Sequence, residues 1–355
     1  MASGAVESLA EGSIAVWKLL ARSLTVAFSL LTNRANCMAF LGDLEERYQM
    51  LRQDGHPLRA RYWYFCQIVT SIWPFLYAAL SGRSEGPSVF GLSTGFVLLD
   101  EMTGGLRGGE LIVLASRPSI GTTAFALNIA QHVAMHPSIR KPVAVFSFDM
   151  SSSAVMTRLL LAGARVNQHR FRAGYLDADE RRKLQVELAD LAGAPLFVDD
   201  TGGLTLAQIR DKLQGMKREH GLSLVVIDDL HMINDVGWDC LPQGEATSIS
   251  RGLKRMAREL NVPFVVLSKI YNPSVAYPTD PTPSVRDLDS LGPIRRDADL
   301  VAFIHRDEVY RKHREDLIGV ADVIVVKHRN GPVGTIPLRF VSAYNRFENR
   351  SEDLV

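Results

Sequence analysis

Short apolar runs alternate with amphipathic stretches from about residue 90 to the C-terminus of the chain. Runs such as LSLVVID and VPFVVLS show no polar alternation, which is typical of strands buried on both faces of a parallel sheet. The predicted strands are Glu110–Ser116, Pro142–Asp149, Pro195–Asp199, Ser223–Asp228, Pro263–Ser268, Leu300–Arg306, Asp322–His328 and Thr335–Phe340. The predicted helices are Thr123–Met135, Ser152–Ala164, Thr205–His220 and Gly244–Leu260. Thr205 fits the N-cap of the third helix and Gly221 its C-cap. This alternation predicts a doubly wound α/β domain.

The residues before this domain follow a different pattern. The stretch SGRSEGPSVFG (Ser81–Gly91) is rich in glycine, serine and proline, which indicates a boundary. Before it, apolar residues recur at helical spacing over Ile14–Leu31. We therefore expect a small helical, apolar region over residues 1–82, a linker over 83–90 and the α/β domain over 91–350.

An uncharged segment, YWYFCQIVTSIWPFLYAAL (Tyr62–Leu80), lies between arginines in the N-terminal region. Its 19 residues reach the length of a membrane span, and its aromatic residues and basic flanks suit a membrane interface. Polar residues and a proline inside it equally fit a buried helix that packs on its neighbours, so both interpretations stay open. Residues 43–80 also resemble a short segment that precedes the membrane part of some bacterial ABC-type permeases, which favours membrane contact without implying transport.

The composition is that of a globular protein. With 355 residues, of which 46% are hydrophobic and 22% charged, the chain is long enough to bury a large core. Its net charge of +1 gives no overall attraction to nucleic acid, so any such binding depends on local patches. Cys37, Cys66 and Cys240 lack metal-binding spacing and fit a reducing compartment. Because the pattern contains no cleavable signal segment, we expect a cytoplasmic protein.

The stretch SRPSIGTT (Ser116–Thr123) links the first predicted strand to the first helix. It resembles the phosphate-binding loop G-x-x-x-x-G-K-[ST], except that Thr122 stands where a lysine reaches the β- and γ-phosphates. Backbone N–H groups and the helix dipole still favour a phosphate at Gly121, whatever residue follows it. The nucleotide-binding residues predicted from this loop are Ser116, Arg117, Pro118, Ser119, Gly121, Thr122 and Thr123.

Asp228 ends the apolar strand in LVVIDD, the usual position of an acid that holds a metal ion through water. Thr123 occupies the hydroxyl position of the loop that ligates Mg²⁺. Each feature alone is common, but the two in this order indicate a P-loop-type domain. We therefore expect a phosphate ligand at the loop and Mg²⁺ at Thr123 and Asp228.

Residues from Phe90 to about Arg350 resemble the C-terminal motor domain of DnaB-type replicative helicases in a series of collinear segments. GLSTGFVLLDEMTGGLRGGELIVLASRPSIG is similar to the family's entry into its phosphate loop, PVAVFSFDM to the strand with its catalytic glutamate, and LVVIDDLHMI to its acidic metal-binding segment. ISRGLKRMARELNVPFVVLS, RRDADLVAFIHRDEVY and VKHRNGPVGTIPLRF resemble the segments that follow. The resemblance implies a RecA-type P-loop NTPase core with a mostly parallel sheet. It also implies a bacterial ring, usually of six subunits, that hydrolyses nucleotide at subunit interfaces while moving along single-stranded DNA.

The resemblance assigns catalytic roles to individual residues. Lys327 and Arg329 of KHRNG match a pair that reaches the γ-phosphate of the neighbouring subunit, although basic residues on a solvated hairpin tip are also ordinary. Asp149 stands at the position of a water-polarising glutamate, on an arm one methylene shorter. A displacement of about 1 Å costs a catalytic group on the order of a hundredfold in rate. The predicted catalytic residues are Asp149, Asp228, Lys327 and Arg329.

Three departures from the family lie around the phosphates. Thr122 removes a charge that stabilises the phosphates and the transition state. His231 and Lys269 stand where the family has glutamines that sense the γ-phosphate. The Lys269 ammonium offers a substitute charge from the neighbouring strand end, and Lys269 therefore joins the predicted nucleotide-binding residues. The alternative is a surface lysine without that role.

The loop VRDLDSLGPIRRDADL (Val285–Leu300) corresponds to a DNA-facing loop of the family. Asp289 and Ser290 replace an Arg-Glu pair, and a carboxylate that faces the phosphate backbone repels it. The arginines of the loop alternate with aspartates, which also fits a solvated loop of mixed charge. The predicted DNA-binding residues are Arg286, Gly292 and Arg295.

Two functional hypotheses follow from these residues. The first is a DnaB-like, ATP-dependent 5′–3′ DNA helicase with impaired hydrolysis, working on single-stranded DNA as a homo-oligomer, a hexamer if the family ring is kept. The second is a catalytically inactive pseudo-helicase that binds partners, such as another helicase subunit, with membrane contact through residues 62–80. The family likeness favours the first, and the combined changes around phosphate and DNA favour the second.

Overall fold

The structure is a computed structural model that describes residues 90–233, 243–270, 282–311 and 313–350, with the backbone alone at 243–248 and 286. The expected helical region over residues 1–82 and the linker up to residue 89 lie outside the described residues. The same holds for the permease-like stretch and for the segment with two open interpretations at 62–80. Within the described ranges, no helix is long and apolar enough to cross a membrane.

A nine-stranded sheet forms the centre of the described part. Its strands are β1 (Leu111–Ser116), β2 (Val143–Ser147), β3 (Leu196–Asp199), β4 (Leu224–Asp228), β5 (Phe264–Lys269), β6 (Leu300–His305), β7 (Val320–His328), β8 (Gly334–Val341) and β9 (Arg346–Asn349). They lie in the order β3-β2-β4-β5-β1-β6-β7-β8-β9. The pairs among β1 to β6 are parallel, and β7, β8 and β9 add antiparallel pairs at one side. The predicted α/β class with a mostly parallel sheet is confirmed.

Helices cover both faces of the parallel strands. The α-helices are α1 (Val97–Thr103), α2 (Thr122–Met135), α3 (Ser152–Ala164), α4 (Gln168–Arg172), α5 (Ala178–Ala192), α6 (Leu206–His220), α7 (Gln243–Leu260) and α8 (Ile294–Asp297). The four predicted helices correspond to α2, α3, α6 and α7. Thr205 caps α6 in a capping box with Gln208, and Gly221 ends it with a φ of 74°, so both predicted caps are confirmed.

A long helix, α5, and a short strand, β9, were not predicted from the sequence pattern. The buried residues of α5 are Leu184 and Leu191. Because most of its other residues are charged or polar, the sequence shows no clear apolar repeat of helical spacing. The capping box of Asp177 and Glu180 was a signal that would have located its start. β9 lies beside β8 at the end of the described sheet. With four residues, β9 is too short to show a periodic pattern.

The central strands are buried on both faces, which explains their continuous apolar sequences. In β1, Ile112 and Leu114 pack in the cluster on the α2 side. Leu111 and Val113 point to the opposite side and pack with residues of α6 and α7. In β7, by contrast, buried and half-buried residues alternate, because this antiparallel strand has one face less covered.

The carboxyl ends of the parallel strands meet at one edge of the sheet. There Ser116 of β1 is the register partner of Lys269 of β5, and Ser147 of β2 is the partner of Asp228 of β4. Ligands of open α/β sheets bind at this edge, outside the carboxyl ends of the strands. Residues far apart in the sequence are thereby gathered around the loop after β1.

Candidate functional site

The loop between β1 and α2, the predicted phosphate-binding loop, turns sharply through two residues with positive φ. Ser119 and Gly121 have positive φ angles of 68° and 109°. Gly121 is the N-cap of α2, and no side chain in the described part of the chain caps the first backbone N–H groups of that helix. Those N–H groups and the positive end of the helix dipole favour an anion at this position.

Thr122 takes part in this turn without a charge. Its hydroxyl and the Ser116 hydroxyl are hydrogen-bonded to each other, and Ser116 Oγ also donates to the Arg117 carbonyl at 2.8 Å. Thr122 thus fixes the loop to the end of β1. It does not supply the cation that the phosphate-loop lysine carries in the consensus.

Arg306 supports the loop from the end of β6, a role the sequence pattern did not predict. Its Nη1 donates to the Ile120 carbonyl at 2.9 Å, and its Nη2 lies 2.8 Å from Glu308 Oε1. The guanidinium also lies over the Phe340 ring, 3.8 Å from the centroid. Burial lowers the pKa of Arg306. These contacts hold the loop from the side of the antiparallel strands.

Thr123 and Asp228, the two residues expected to hold a metal ion, lie close together at this edge. The Thr123 hydroxyl interacts with the Asp228 carboxylate and acts to lower its pKa. The pKa of Asp228 is raised to about 6, chiefly by burial and also by the carboxylates of Asp229 and Asp149, while Thr123 and Lys269 act to lower it. A hydroxyl and a carboxylate side by side are oxygen ligands of the kind Mg²⁺ prefers.

Asp149 lies at the same edge, on the loop after β2. Its side chain is exposed, and its charge raises the pKa of Asp228. The loop is fixed to β4, because the Phe148 N–H donates to the Asp228 carbonyl at 2.7 Å. Asp149 therefore lies at the same strand-end edge as Asp228.

Two residues after β4 and one at the end of β5 form a further cluster. Lys269 Nζ lies 3.0 Å from Asp229 Oδ2. Asp229 also accepts from the His231 N–H at 3.1 Å, and the His231 ring nitrogen Nε2 lies 3.1 Å from Ser268 Oγ. Asp229 is a functional candidate that the sequence analysis missed. Its signal was the doubled aspartate in LVVIDD.

Lys327 and Arg329 lie at the opposite edge of the sheet. Arg329 follows β7, and its backbone N–H donates to the Asp299 carbonyl. The Asp299 carboxylate accepts a hydrogen bond from the N–H of Leu111, at the start of β1. Across β1, the backbone rises about 16 Å from Leu111 to Ser116, taking about 3.3 Å per residue. The four predicted catalytic residues are therefore brought together in two separate groups, Asp149 with Asp228 and Lys327 with Arg329.

The Lys327 ammonium is held by its own chain. It donates to the carbonyls of Arg295, Arg296 and Ala298 at 2.6, 3.2 and 2.7 Å. These contacts use all three donors of an ammonium group. Burial, and then the charge of Arg329, lowers the pKa of Lys327 to about 8.

Arg329 is bound less completely. Its Nη1 lies 3.4 Å from Asp299 Oδ1 and its Nη2 donates to the Arg296 carbonyl. Asp299 in turn accepts from the Leu111 N–H at 2.8 Å and pairs with Lys254. Arg329 remains nearly half exposed, so its guanidinium faces solvent beside this network.

The predicted DNA-facing loop forms a 3₁₀-helix over Val285–Leu291, followed by α8. Gly292 joins the two with a φ of 62°. Arg295 forms an ion pair with Asp289, whose side chain is exposed. The Arg286 side chain lies outside the described residues. Of the predicted DNA-binding arginines, Arg295 is thus neutralised by the aspartate that replaces the family's arginine.

Known proteins share sequence and fold with this chain. The family described as DnaB-like helicase C terminal domain matches residues 91–349. Replicative DNA helicase DnaB of Geobacillus stearothermophilus is 41% identical over 262 residues, 74% of this chain and 57% of that protein. Replicative DNA helicase DnaC of Bacillus subtilis (strain 168) is 40% identical over 262 residues, with the same coverage of 74% and 57%. This chain thus matches little more than half the length of those relatives.

Solved structures give the same likeness. The chain resembles a structure described as an ATPase domain with a TM-score of 0.70 and 29% identity, over 80% of this chain and 99% of that chain. It also resembles a DnaB-like replicative helicase, solved in a study of its interactions with primase, with a TM-score of 0.71 and 26% identity. That match covers 87% of this chain and 75% of the other.

Proposed function

Because the chain belongs to the family of DnaB-like helicase C-terminal domains, we propose that residues 91–350 bind ATP and Mg²⁺ and act on single-stranded DNA in DNA replication. The observation that carries this proposal is the closeness of the Thr123 hydroxyl to the buried Asp228 carboxylate beside the N-terminus of α2, where Gly121 is the N-cap. The proposal includes slow hydrolysis and assembly of the chain into a ring of six copies.

The residues present suit a magnesium–nucleotide complex. Thr123 and Asp228 offer a hydroxyl and a carboxylate oxygen, which are ligands of Mg²⁺. Gly121 has a φ of 109°, a conformation that strains any residue with a side chain, so glycine allows the turn that exposes the N–H groups at the start of α2. When bound, the metal ion offsets negative charge on the phosphate oxygens.

Each residue of this edge has a distinct task in the proposal. The backbone N–H groups at the start of α2 bind phosphate oxygens, and Thr123 and Asp228 hold the metal ion. Asp149 orients the attacking water as a general base. Arg306 keeps the loop in place through the Ile120 carbonyl.

Slow hydrolysis follows from two features of the same edge. Thr122 brings no positive charge to the transition state, which removes an electrostatic contribution of the kind that commonly dominates catalysis. Asp149 is exposed and shorter than the glutamate of the family, so it holds water less firmly.

A ring is supported by the separation of the two catalytic groups. Arg329 lies at the edge of the sheet opposite to Asp228, so in one copy it serves no nucleotide bound at that aspartate. In a head-to-tail assembly, Arg329 of one copy faces the nucleotide of the next. Lys327 then acts through its carbonyl contacts, which hold the segment beside Arg329.

Binding of nucleotide is tested by fluorescence titration of the full chain with a MANT-labelled ATP and Mg²⁺. Thr123→Ala removes the hydroxyl at Asp228 and is expected to lower the affinity for Mg²⁺-ATP about tenfold, as for loss of a hydrogen bond to a charged group. Thr157→Ala is the matched control, because the Thr157 hydroxyl donates to the Ser153 carbonyl within α3. No binding by the unaltered chain would refute the proposal.

Turnover separates the proposal from its alternative, a catalytically inactive pseudo-helicase that binds partners. Steady-state ATP turnover is measured with and without single-stranded DNA, in the unaltered chain and in Thr122→Lys. We expect turnover well below about 1 s⁻¹, which is under the usual range for enzymes, with stimulation by DNA and a higher rate in Thr122→Lys. Turnover of zero in both chains favours the pseudo-helicase, which the changes at Thr122, Asp149 and Asp289 support.

A further inference from the structure

We propose that Lys269 supplies, from the end of β5, the phosphate-binding positive charge that position 122 lacks. This inference rests on the proposed binding of ATP. The residue is placed by the sheet: Lys269 is the register partner of Ser116, and the Ile270 N–H donates to the Ser116 carbonyl at 2.9 Å. Neighbouring strands lie about 4.8 Å apart, so Lys269 extends from the edge directly beside the phosphate-binding loop.

The ammonium group lies among the carboxylates of the metal site. Lys269 Nζ is 3.0 Å from Asp229 Oδ2, and its charge also acts on Asp228, the partner of Thr123. The Asp229 side chain is 3% exposed, whereas the Lys269 side chain is 38% exposed. The lysine therefore approaches the buried carboxylates from the open side of the edge, where a triphosphate would lie.

Asp228 and Asp229 need a nearby cation because adjacent buried carboxylates repel each other and are poorly solvated. Lys269 meets that need through its contact with Asp229. When Mg²⁺ accompanies a nucleotide, the charge of the metal offsets the carboxylates, and phosphate oxygens compete with Asp229 for the ammonium. Lys269 then binds phosphate oxygens through a movement of its side chain alone, while β5 stays in place.

A second pair in the same fold shows what an ion pair without a nucleotide role looks like. Lys212 Nζ lies 2.6 Å from Asp199 Oδ2, and the Lys212 side chain is 37% exposed. Asp199 likewise ends a parallel strand, but β3 is separated from β1 by β2, β4 and β5. The two lysines match in exposure and partner and differ in distance from the loop.

The test measures affinity for MANT-ATP in the presence of Mg²⁺, with the full chain. Lys269→Met alone would leave Asp229 buried without its cation, so the decisive variant combines Lys269→Met with Asp229→Asn. Asn keeps an oxygen to accept from the His231 N–H. Thermal unfolding checks that this double variant folds like the unaltered chain, and Lys212→Met is the matched control.

We expect the double variant to lose MANT-ATP affinity about ten- to a hundredfold, as for loss of a charge-assisted hydrogen bond. MANT-ADP should lose less, since it lacks the terminal phosphate. Adding Thr122→Lys should restore MANT-ATP affinity, and Lys212→Met should leave it unchanged. Unchanged MANT-ATP affinity in the double variant overturns the inference alone. If the unaltered chain binds neither nucleotide, both the proposed function and this inference fail.

Discussion

The Lys327 ammonium lies 2.6 Å from the carbonyl oxygen of Arg295, in α8. With two further carbonyl contacts, this lysine joins the strand β7 to the segment that follows the predicted DNA-facing 3₁₀-helix. The contact joins residues that are 32 positions apart in the sequence. Lys327 is therefore a structural link between KHRNG, the predicted catalytic segment, and the predicted DNA-facing loop.

Replacement of Lys327 should therefore destabilise the domain. Lys327→Met keeps the length of the side chain but leaves three carbonyls without this donor, and we expect a loss of about 1–3 kcal/mol in the free energy of unfolding. Denaturation by urea measures it. Lys183→Met is the control, because Lys183 forms an exposed pair with Asp179 and should change stability by less than about 0.5 kcal/mol. Equal stability of the two variants would contradict the structural link.

Asp228 should make stability depend on pH. Its pKa is raised from the ordinary value of 3.8 to about 6, mainly by burial, so the folded state favours the protonated carboxyl. This contribution is fully present below about pH 4 and is lost as the pH rises through about 6. Asp228→Asn removes the titration and should therefore be more stable than the unaltered chain at pH 8, by about 1–3 kcal/mol.

Urea denaturation at pH 4 and pH 8 tests this expectation. The stability gap between Asp228→Asn and the unaltered chain should shrink towards the lower pH. Asp316→Asn is the control of opposite sign: Arg314 lowers the pKa of this exposed aspartate, so its removal should not make the chain more stable as the pH rises. A stability gap that stays constant with pH would mean that burial does not raise the pKa of Asp228.

Gly121 should resist substitution because of its backbone. At a φ of 109° an alanine is strained, although its Cβ would make only an ordinary van der Waals contact with the Phe347 ring, at 3.4 Å. We expect Gly121→Ala to cost about 1–3 kcal/mol of stability and to weaken the binding of nucleotide. Gly215 in α6 is the matched control, since a Cβ there meets none of the described atoms within 4 Å. Gly215→Ala should stabilise the domain by about 0.5–1 kcal/mol. A Gly121→Ala variant as stable as Gly215→Ala would refute the strain argument.

Asp289 should limit the affinity for DNA. Its exposed carboxylate pairs with Arg295 and cancels that positive charge on the loop. Asp289→Asn is expected to raise the affinity for single-stranded DNA at low salt about threefold to tenfold, and to steepen its salt dependence. Fluorescence anisotropy with a labelled oligonucleotide measures both. The control is Asp316→Asn, which frees Arg314 outside this loop, and equal gains in both variants would exclude a specific role of the loop.

Much of the fold was readable because local patterns reflect it directly. The continuous apolar run of β4 follows from its burial on both faces. Thr205 indicates the start of α6 because it forms a capping box with Gln208. α5 was missed because its buried positions are few, although Asp177 and Glu180 carried the same capping signal. β9 was missed because four residues on an edge strand show no period.

For the site, the sequence by itself determined which chemical groups stand at the strand ends: the glycine turn, Thr123, Asp228 and the missing loop lysine at Thr122. Only the tertiary structure decided which groups meet. It joined Lys269 to Asp229, bound Lys327 to carbonyls, and set Arg329 at the edge opposite to Asp228. The physical reason is that such contacts depend on strand order and register, as in the bond from the Leu111 N–H to Asp299, 188 positions away. The spacing of apolar and polar residues along the sequence does not show which strands or residues pair.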